Sequence, residues 1–178
     1  MKLKLGIVGC GGLFCNRVLP VLQEMSEYQV IALADVNPDA LSFVSNKLKV
    51  KEKYIKFEDF IKNSSCEAVY LSVPNHLHFP LASAILKSGR HIICEKPVTI
   101  SSHEAYELKN VIDKTNSVFM VAYMSYFNRY NEKAIEIINS GKLGKVKYIN
   151  SVRNSFCQTG EGEITVVDKS GRKKDVHI

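Results

Sequence analysis

No cysteine of this 178-residue chain stands in a CxxC pair, and none belongs to a Cys/His cluster with metal-ligand spacing. Cys10, Cys15, Cys66, Cys94 and Cys157 form an odd, scattered set in apolar surroundings. That pattern argues against a structural zinc site and suits reduced thiols in a cytosolic protein. No apolar run reaches membrane-spanning length. The stretch behind Lys2 and Lys4 could mimic a signal peptide, but Gly6, Gly9, Gly11 and Gly12 break it. The expectation is a soluble, cytoplasmic chain with no membrane partner. Internal repeats and low-complexity segments are also missing. Acidic residues are in modest deficit, 18 against 24 Lys and Arg, and the imbalance is uneven: residues 141–178 hold eight basic and four acidic side chains. This basic end lacks interleaved aromatics and any nucleic-acid motif, so no nucleic-acid partner is expected.

What the chain does have is an alternation of short β-branched runs and helical segments. Strands are expected at Leu3–Val8, Gln29–Ala34, Tyr54-Ile55, Glu67–Val73, His91–Cys94 and Ser117–Tyr123. Helices are expected at Leu13–Met25 (Val18, Leu19, Val21 and Leu22 inward), Pro38–Leu48, Phe57–Ile61, Leu77–Lys87 and Ser101–Lys114. Pro38 stands at a first helical position, and Ser101 with Glu104 has capping-box spacing. This order predicts an α/β, doubly wound parallel-sheet Rossmann domain over residues 1–122. Residues 123–178 then read as a link helix, Arg129–Asn139, and the start of an α+β antiparallel-sheet domain. Three strands are expected there: Lys145–Val152, Glu163–Asp168 and Lys173–Ile178, the last two joined by a turn at Asp168-Lys169-Ser170-Gly171.

Gly9-Cys10-Gly11 follows the first strand and opens the first helix. A pyrophosphate needs such a tight turn, a bare backbone for close approach and a helix N-terminus for its charge. Asp35 ends the second strand, where a carboxylate accepts ribose hydroxyls. Its charge would repel a 2′-phosphate and no arginine follows at Val36 or Asn37, so NAD is favoured over NADP. The third glycine slot holds Phe14, which must either turn outward or have its strain absorbed at Gly12. Pro74-Asn75 closes the fourth strand and would line the same cleft. His78 reads either as a packing or capping histidine or as a site residue, while His76 and His103 read as surface. Glu95-Lys96-Pro97 ends the fifth strand, which delivers two ionisable groups to the carboxyl edge of the sheet. Burial and a nearby positive nicotinamide would make Lys96 a better base, and pairing with Glu95 would oppose that. Base and hydrogen-bond donor therefore both remain open.

Six stretches, in order, resemble the glucose–fructose oxidoreductase / inositol dehydrogenase / rhizopine catabolism family (Gfo/Idh/MocA). They are Gly6-Ile7-Val8-Gly9-Cys10-Gly11-Gly12, Ala34-Asp35-Val36-Asn37, Val73-Pro74-Asn75-His76-Leu77-His78, Ser88-Gly89-Arg90-His91, Cys94-Glu95-Lys96-Pro97 and Ser140-Gly141-Lys142-Leu143-Gly144-Lys145-Val146. The resemblance implies NAD(P)-dependent hydride transfer at a sugar or cyclitol hydroxyl. It places Gly9, Gly11, Gly12, Leu13, Asp35, Pro74, Asn75, His78, Glu95 and Lys96 around the dinucleotide, with Lys96 catalytic and no metal.

The chain also departs from the family pattern. Tyr126 precedes Phe127-Asn128 where an arginine is usual, and Arg129 replaces the proline that follows. The family's second domain ordinarily supplies an Asp-x-Gly-x-His stretch whose histidine shares proton transfer with the lysine. Asp168-Lys169-Ser170-Gly171-Arg172 lacks the histidine, and Asp175-Val176-His177 lacks the glycine spacing. Three readings follow: a dehydrogenase, a catalytically silent dinucleotide-binding module or truncated pseudo-enzyme, and an α/β domain that binds no nucleotide. Self-association through the tail strands is expected, because a small meander leaves pairing edges exposed.

Overall fold

The computed structural model describes residues 2–150, 163–167 and 173–177. Six strands, β1 (Leu3–Val8), β2 (Tyr28–Ala34), β3 (Glu52–Tyr54), β4 (Ala68–Leu71), β5 (His91–Cys94) and β6 (Phe119–Val121), form one parallel sheet in the order β3-β2-β1-β4-β5-β6. The chain fills one half outward from β1, then crosses from the β3 edge to start the other half at β4. The crevice between the carboxyl ends of β1 and β4 is therefore the topological switch point, where open α/β sheets take ligands. Every strand expected over residues 1–122 is present, with β4 and β6 shorter than their apolar runs.

Residue parity assigns each strand side chain to one of two cores. Leu5, Ile7, Leu33, Ala68 and Tyr70 share one face with Phe14, Leu19, Leu41 and Val44. Ala32, Ala34, Val69, Leu71, Ile92 and Cys94 face the other, against Phe60, Ala82, Ile85, Leu86 and Leu108. The first face is covered by helices α1 (Leu19–Glu24) and α2 (Pro38–Leu48); the second by α3 (Phe57–Asn63), α4 (Asn75–Lys87) and α5 (Ser102–Ile112). With both faces covered, the central strand β4, Ala68-Val69-Tyr70-Leu71, is buried along its whole length, as strands of parallel sheets are.

Local chemistry sets the helix ends. Asn37 caps α2, its side chain accepting from the Asp39 and Ala40 N–H groups, with Pro38 at the first position. Such a cap contributes about 1 kcal/mol. Ser101 Oγ accepts from Glu104 N, while Glu104 reaches back to Ile100 N, one residue short of a reciprocal capping box. The Arg90 guanidinium donates to the carbonyls of Ile61, Ser64 and Cys66, tying the end of α3 to the start of β5.

Two expectations near the glycine turn are corrected. Phe14 neither turns outward nor shifts its strain to Gly12, whose φ is not positive. It is fully buried, and the helix opens with a π-helical segment, Phe14–Val18, before continuing as α1. The wider π turn supplies the room that a small residue supplies in an ordinary α-helix. It also rotates the following face, so that Leu19 is buried and Val21 is exposed rather than inward.

The chain divides into two compact units, Met1–Glu132 and Lys133–Ile178. The division falls inside helix α6 (Arg129–Asn139). After α6 the backbone turns twice with positive φ, at Gly141 (72°) and Gly144 (62°). Residues 145–150 form no strand, contrary to expectation, because no neighbouring segment offers them a ladder among the described residues. The antiparallel hairpin is present as β7 (Glu163–Val167) and β8 (Lys173–His177), with Thr165 opposite Asp175. Its expected turn, the whole Asp168–Arg172 stretch and the last two residues of the expected strand Lys145–Val152 lie outside the described residues.

Candidate functional site

The turn after β1 is built around Gly9. Its φ is 95°, and a Cβ there would lie 1.9 Å from the Ser72 carbonyl oxygen, so no other residue fits. Its N–H donates to Ala34 O, joining the ends of β1 and β2. Gly11 and Gly12 differ: a Cβ at Gly11 meets nothing within 4 Å, and at Gly12 only the tip of Asn16. Their bareness serves the open space in front of the turn rather than internal packing.

Asp35 fastens this turn. Its Oδ2 accepts from Cys10 N at 2.6 Å and its Oδ1 from Asn37 N at 2.8 Å. The carboxylate therefore links the glycine turn to the cap of α2, a structural role that the sequence reading did not include. Burial first, then the charge of Asp35, push the Cys10 thiol up to about 12, so it stays protonated at neutral pH. Cys15 Sγ donates to Cys10 O.

Two adjoining cavities lie at the carboxyl ends of the strands. One, of about 230 Å³, is lined by Gly9, Gly11, Asp35, Val36, Ile55, Pro74 and Leu77. Its walls are mostly apolar, as a flat aromatic base requires. The other, of about 290 Å³, is lined by Gly11, Gly12, Leu13, Pro74, Asn75, His78, Glu95 and Lys96. Together the two bring all ten candidate residues into one crevice, although the candidates span residues 9 to 96. Larger hollows of about 460 and 360 Å³ occur elsewhere, around Arg90 and around Lys47, but they are shallow and hold none of these residues.

The far end of the crevice carries the ionisable groups. Glu95 is buried at 8% exposure, and the Tyr70 hydroxyl donates to its Oε1 at 2.6 Å. Burial, then this bond, raise the Tyr70 hydroxyl well above the ordinary phenol range. The Cys94 thiol is pushed up to about 12 by burial and the Glu95 charge. Tyr70 packs in turn on Phe14, ring centroids 6.1 Å apart. Tyr70 was missed from sequence, its only signal being a tyrosine at an inward position of an aliphatic strand.

Lys96 is exposed rather than buried against the sheet, and among the described residues its ammonium makes no ion pair. Glu95 instead accepts from the Lys96 backbone N–H at 3.3 Å. His78, 1% exposed, lines the second cavity, but both its ring nitrogens face backbone carbonyls, Nδ1 that of Pro97 and Nε2 that of Val73. Among the described residues no three His, Cys, Asp or Glu side chains converge as a metal site.

Residues 3–123 match the family model GFO_IDH_MocA, the oxidoreductase family with an NAD-binding Rossmann fold. D-xylose 1-dehydrogenase (NADP(+)) 2 of Haloferax volcanii is 31% identical over 161 residues, covering 90% of this chain and 49% of that protein. Inositol 2-dehydrogenase of Salmonella agona is 24% identical over 147 residues, covering 82% and 44%. Among solved structures, scyllo-inositol dehydrogenase from Lactobacillus casei with bound NAD(H) and scyllo-inositol matches with a TM-score of 0.76 at 25% identity, covering 81% of this chain and 43% of that one. The chain spans about half the length of the curated relatives it matches. No described helix is long and apolar enough to cross a membrane.

Proposed function

The chain belongs to the Gfo/Idh/MocA oxidoreductase family, and from that membership we propose that it transfers a hydride between a nicotinamide cofactor and a sugar or cyclitol hydroxyl carbon. The observation that carries the proposal is the convergence of the Gly9 turn, Asp35 and Lys96 on one crevice at the switch point of the sheet. The residues present fit a dinucleotide. Gly11 and Gly12 leave room for phosphates at the start of a helix, Asp35 keeps lone pairs free for ribose hydroxyls, and the Val36, Ile55 and Leu77 walls suit a base. Bound there, a nicotinamide ring supplies the two-electron acceptor for a carbinol C–H. As the neutral amine, Lys96 Nζ takes the hydroxyl proton in oxidation, becoming the ammonium, and as the ammonium it returns that proton in reduction.

NAD is the cofactor we favour. Asp35 carries a negative charge beside the ribose position, and Val36, Asn37 and Pro38 after it bring no cation. The substrate class rests on the relatives, a D-xylose 1-dehydrogenase and an inositol 2-dehydrogenase. Self-association through the β7–β8 hairpin belongs to the same reading, since a two-stranded sheet is marginal alone. A monomer by light scattering at high concentration would count against that part.

One observation favours a second reading. Lys96 is solvent-exposed and unpaired among the described residues, as it would be in a silent dinucleotide-binding module. NADH fluorescence titration together with an NAD-reduction assay on myo-inositol and hexoses separates the two. Reduction of NAD with any of these supports the dehydrogenase; tight NADH binding with no turnover supports the module.

A further inference from the structure

His78 is buried in the first turns of α4, and both its ring nitrogens lie at hydrogen-bonding distance from carbonyl oxygens, neither of which can donate. A neutral imidazole has one N–H. Against two carbonyls, a neutral ring would donate once and press a lone pair on the other oxygen. Only an imidazolium satisfies both. The two carbonyls belong to the two loops that form the crevice. Val73 lies in the turn between β4 and α4, on the nucleotide side. Pro97 follows Lys96 directly.

We propose that His78 is held as an imidazolium donating from both ring nitrogens, and that this pair of hydrogen bonds is the latch positioning the Lys96 loop against the nucleotide-side turn. His78 is thus a positioning residue that acts through Lys96. Its catalytic significance rests on the dehydrogenase reading above; its protonation state does not.

Burial of the ring opposes a cation, which the two carbonyl acceptors must offset, and the surroundings have charges of both signs. Glu95, buried at the end of β5, lines the same cavity and favours a cation there. Lys96 and the N-terminal end of α4 oppose one. His76, on the same turn, is exposed. β4 contributes Tyr70 and β5 Cys94, both neutral at pH 7 and held so more firmly by burial. α5 packs on this core through Leu108, Val111 and Ile112, and its Glu104 is turned to Ile100 N. Among the described residues Glu95 is the one buried carboxylate, and it brings negative charge to the cavity that His78 lines.

The direct test is long-range ¹⁵N–¹H NMR on the full chain at neutral pH with ¹⁵N-histidine, His78 being assigned by its loss in His78→Gln. Two protonated ring nitrogens support the proposal; one bare nitrogen overturns it. A second measurement follows amide exchange at Lys96 and Val98. His78→Phe, which keeps a planar ring but removes both donors, should speed exchange there about tenfold. Unchanged exchange in His78→Phe would overturn the latch. Neither readout needs turnover, so a bare nitrogen leaves the dehydrogenase reading standing, and loss of that reading leaves the latch standing.

Discussion

The Tyr70 hydroxyl donates to Glu95 Oε1 at 2.6 Å, joining side chains 25 residues apart in sequence at the buried end of the crevice. The bond exists because β4 and β5 are parallel neighbours with Tyr70 opposite Ile93, which places residue 95 one pleat beyond on the same face. It gives a buried carboxylate a donor other than the adjacent lysine and so leaves the Lys96 ammonium free toward the cavity.

Tyr70→Phe should therefore destabilise the fold by about 1–3 kcal/mol, the usual penalty for a buried charged acceptor left unpartnered. Urea unfolding checks this, and Tyr28→Phe, at a partly buried edge of β2, serves as a control expected within about 0.5 kcal/mol of wild type. Equal stability of Tyr70→Phe and wild type would mean the hydroxyl does not hold Glu95.

The two glycines of the turn should separate by assay. Gly9→Ala drives a Cβ into Ser72 O at a left-handed φ, and should cost more than about 2 kcal/mol in stability. Gly11→Ala has empty space around it, so stability should change by less than about 0.5 kcal/mol while NADH affinity falls about tenfold or more. Thermal melts paired with NADH fluorescence titrations read both effects.

Alkaline pH should weaken the fold through its buried thiols. Cys10 and Cys94 are raised from 9.0 to about 12, so each stabilises the folded state fully below pH 9 and loses that contribution as pH climbs toward 12. The slope is at most about 1.4 kcal/mol per pH unit for each thiol. Urea midpoints at intervals from pH 8.5 to 10.5 should fall, and Cys94→Ala should fall less steeply. A parallel decline in both proteins would remove Cys94 from the account.

The doubly wound half of the chain was legible because β1, β2, β4 and β5 are short, largely apolar runs with Gly, Asp or Pro close behind them, and α2 and α5 carry their own caps. The site residues were legible for the same reason: they stand at strand ends, and a parallel sheet collects its strand ends on one edge. What stayed hidden depends on geometry that no local pattern encodes. Phe14 was misjudged because the small third slot presumes an α-helical start, whereas a π turn opens the helix here. The Tyr70–Glu95 bond needs the β4–β5 register, and the His78 latch needs two loops closed on one ring. Residues 145–150 alternate like a strand, but alternation alone does not supply a partner.

Lys96→Ala, measured for NADH affinity and for NAD reduction with myo-inositol or a hexose in the same preparation, tests the central claim most directly. The account predicts NADH affinity within about threefold of wild type and hydride transfer reduced at least about a hundredfold, since the group that takes the hydroxyl proton is gone. Unchanged turnover in Lys96→Ala would contradict it.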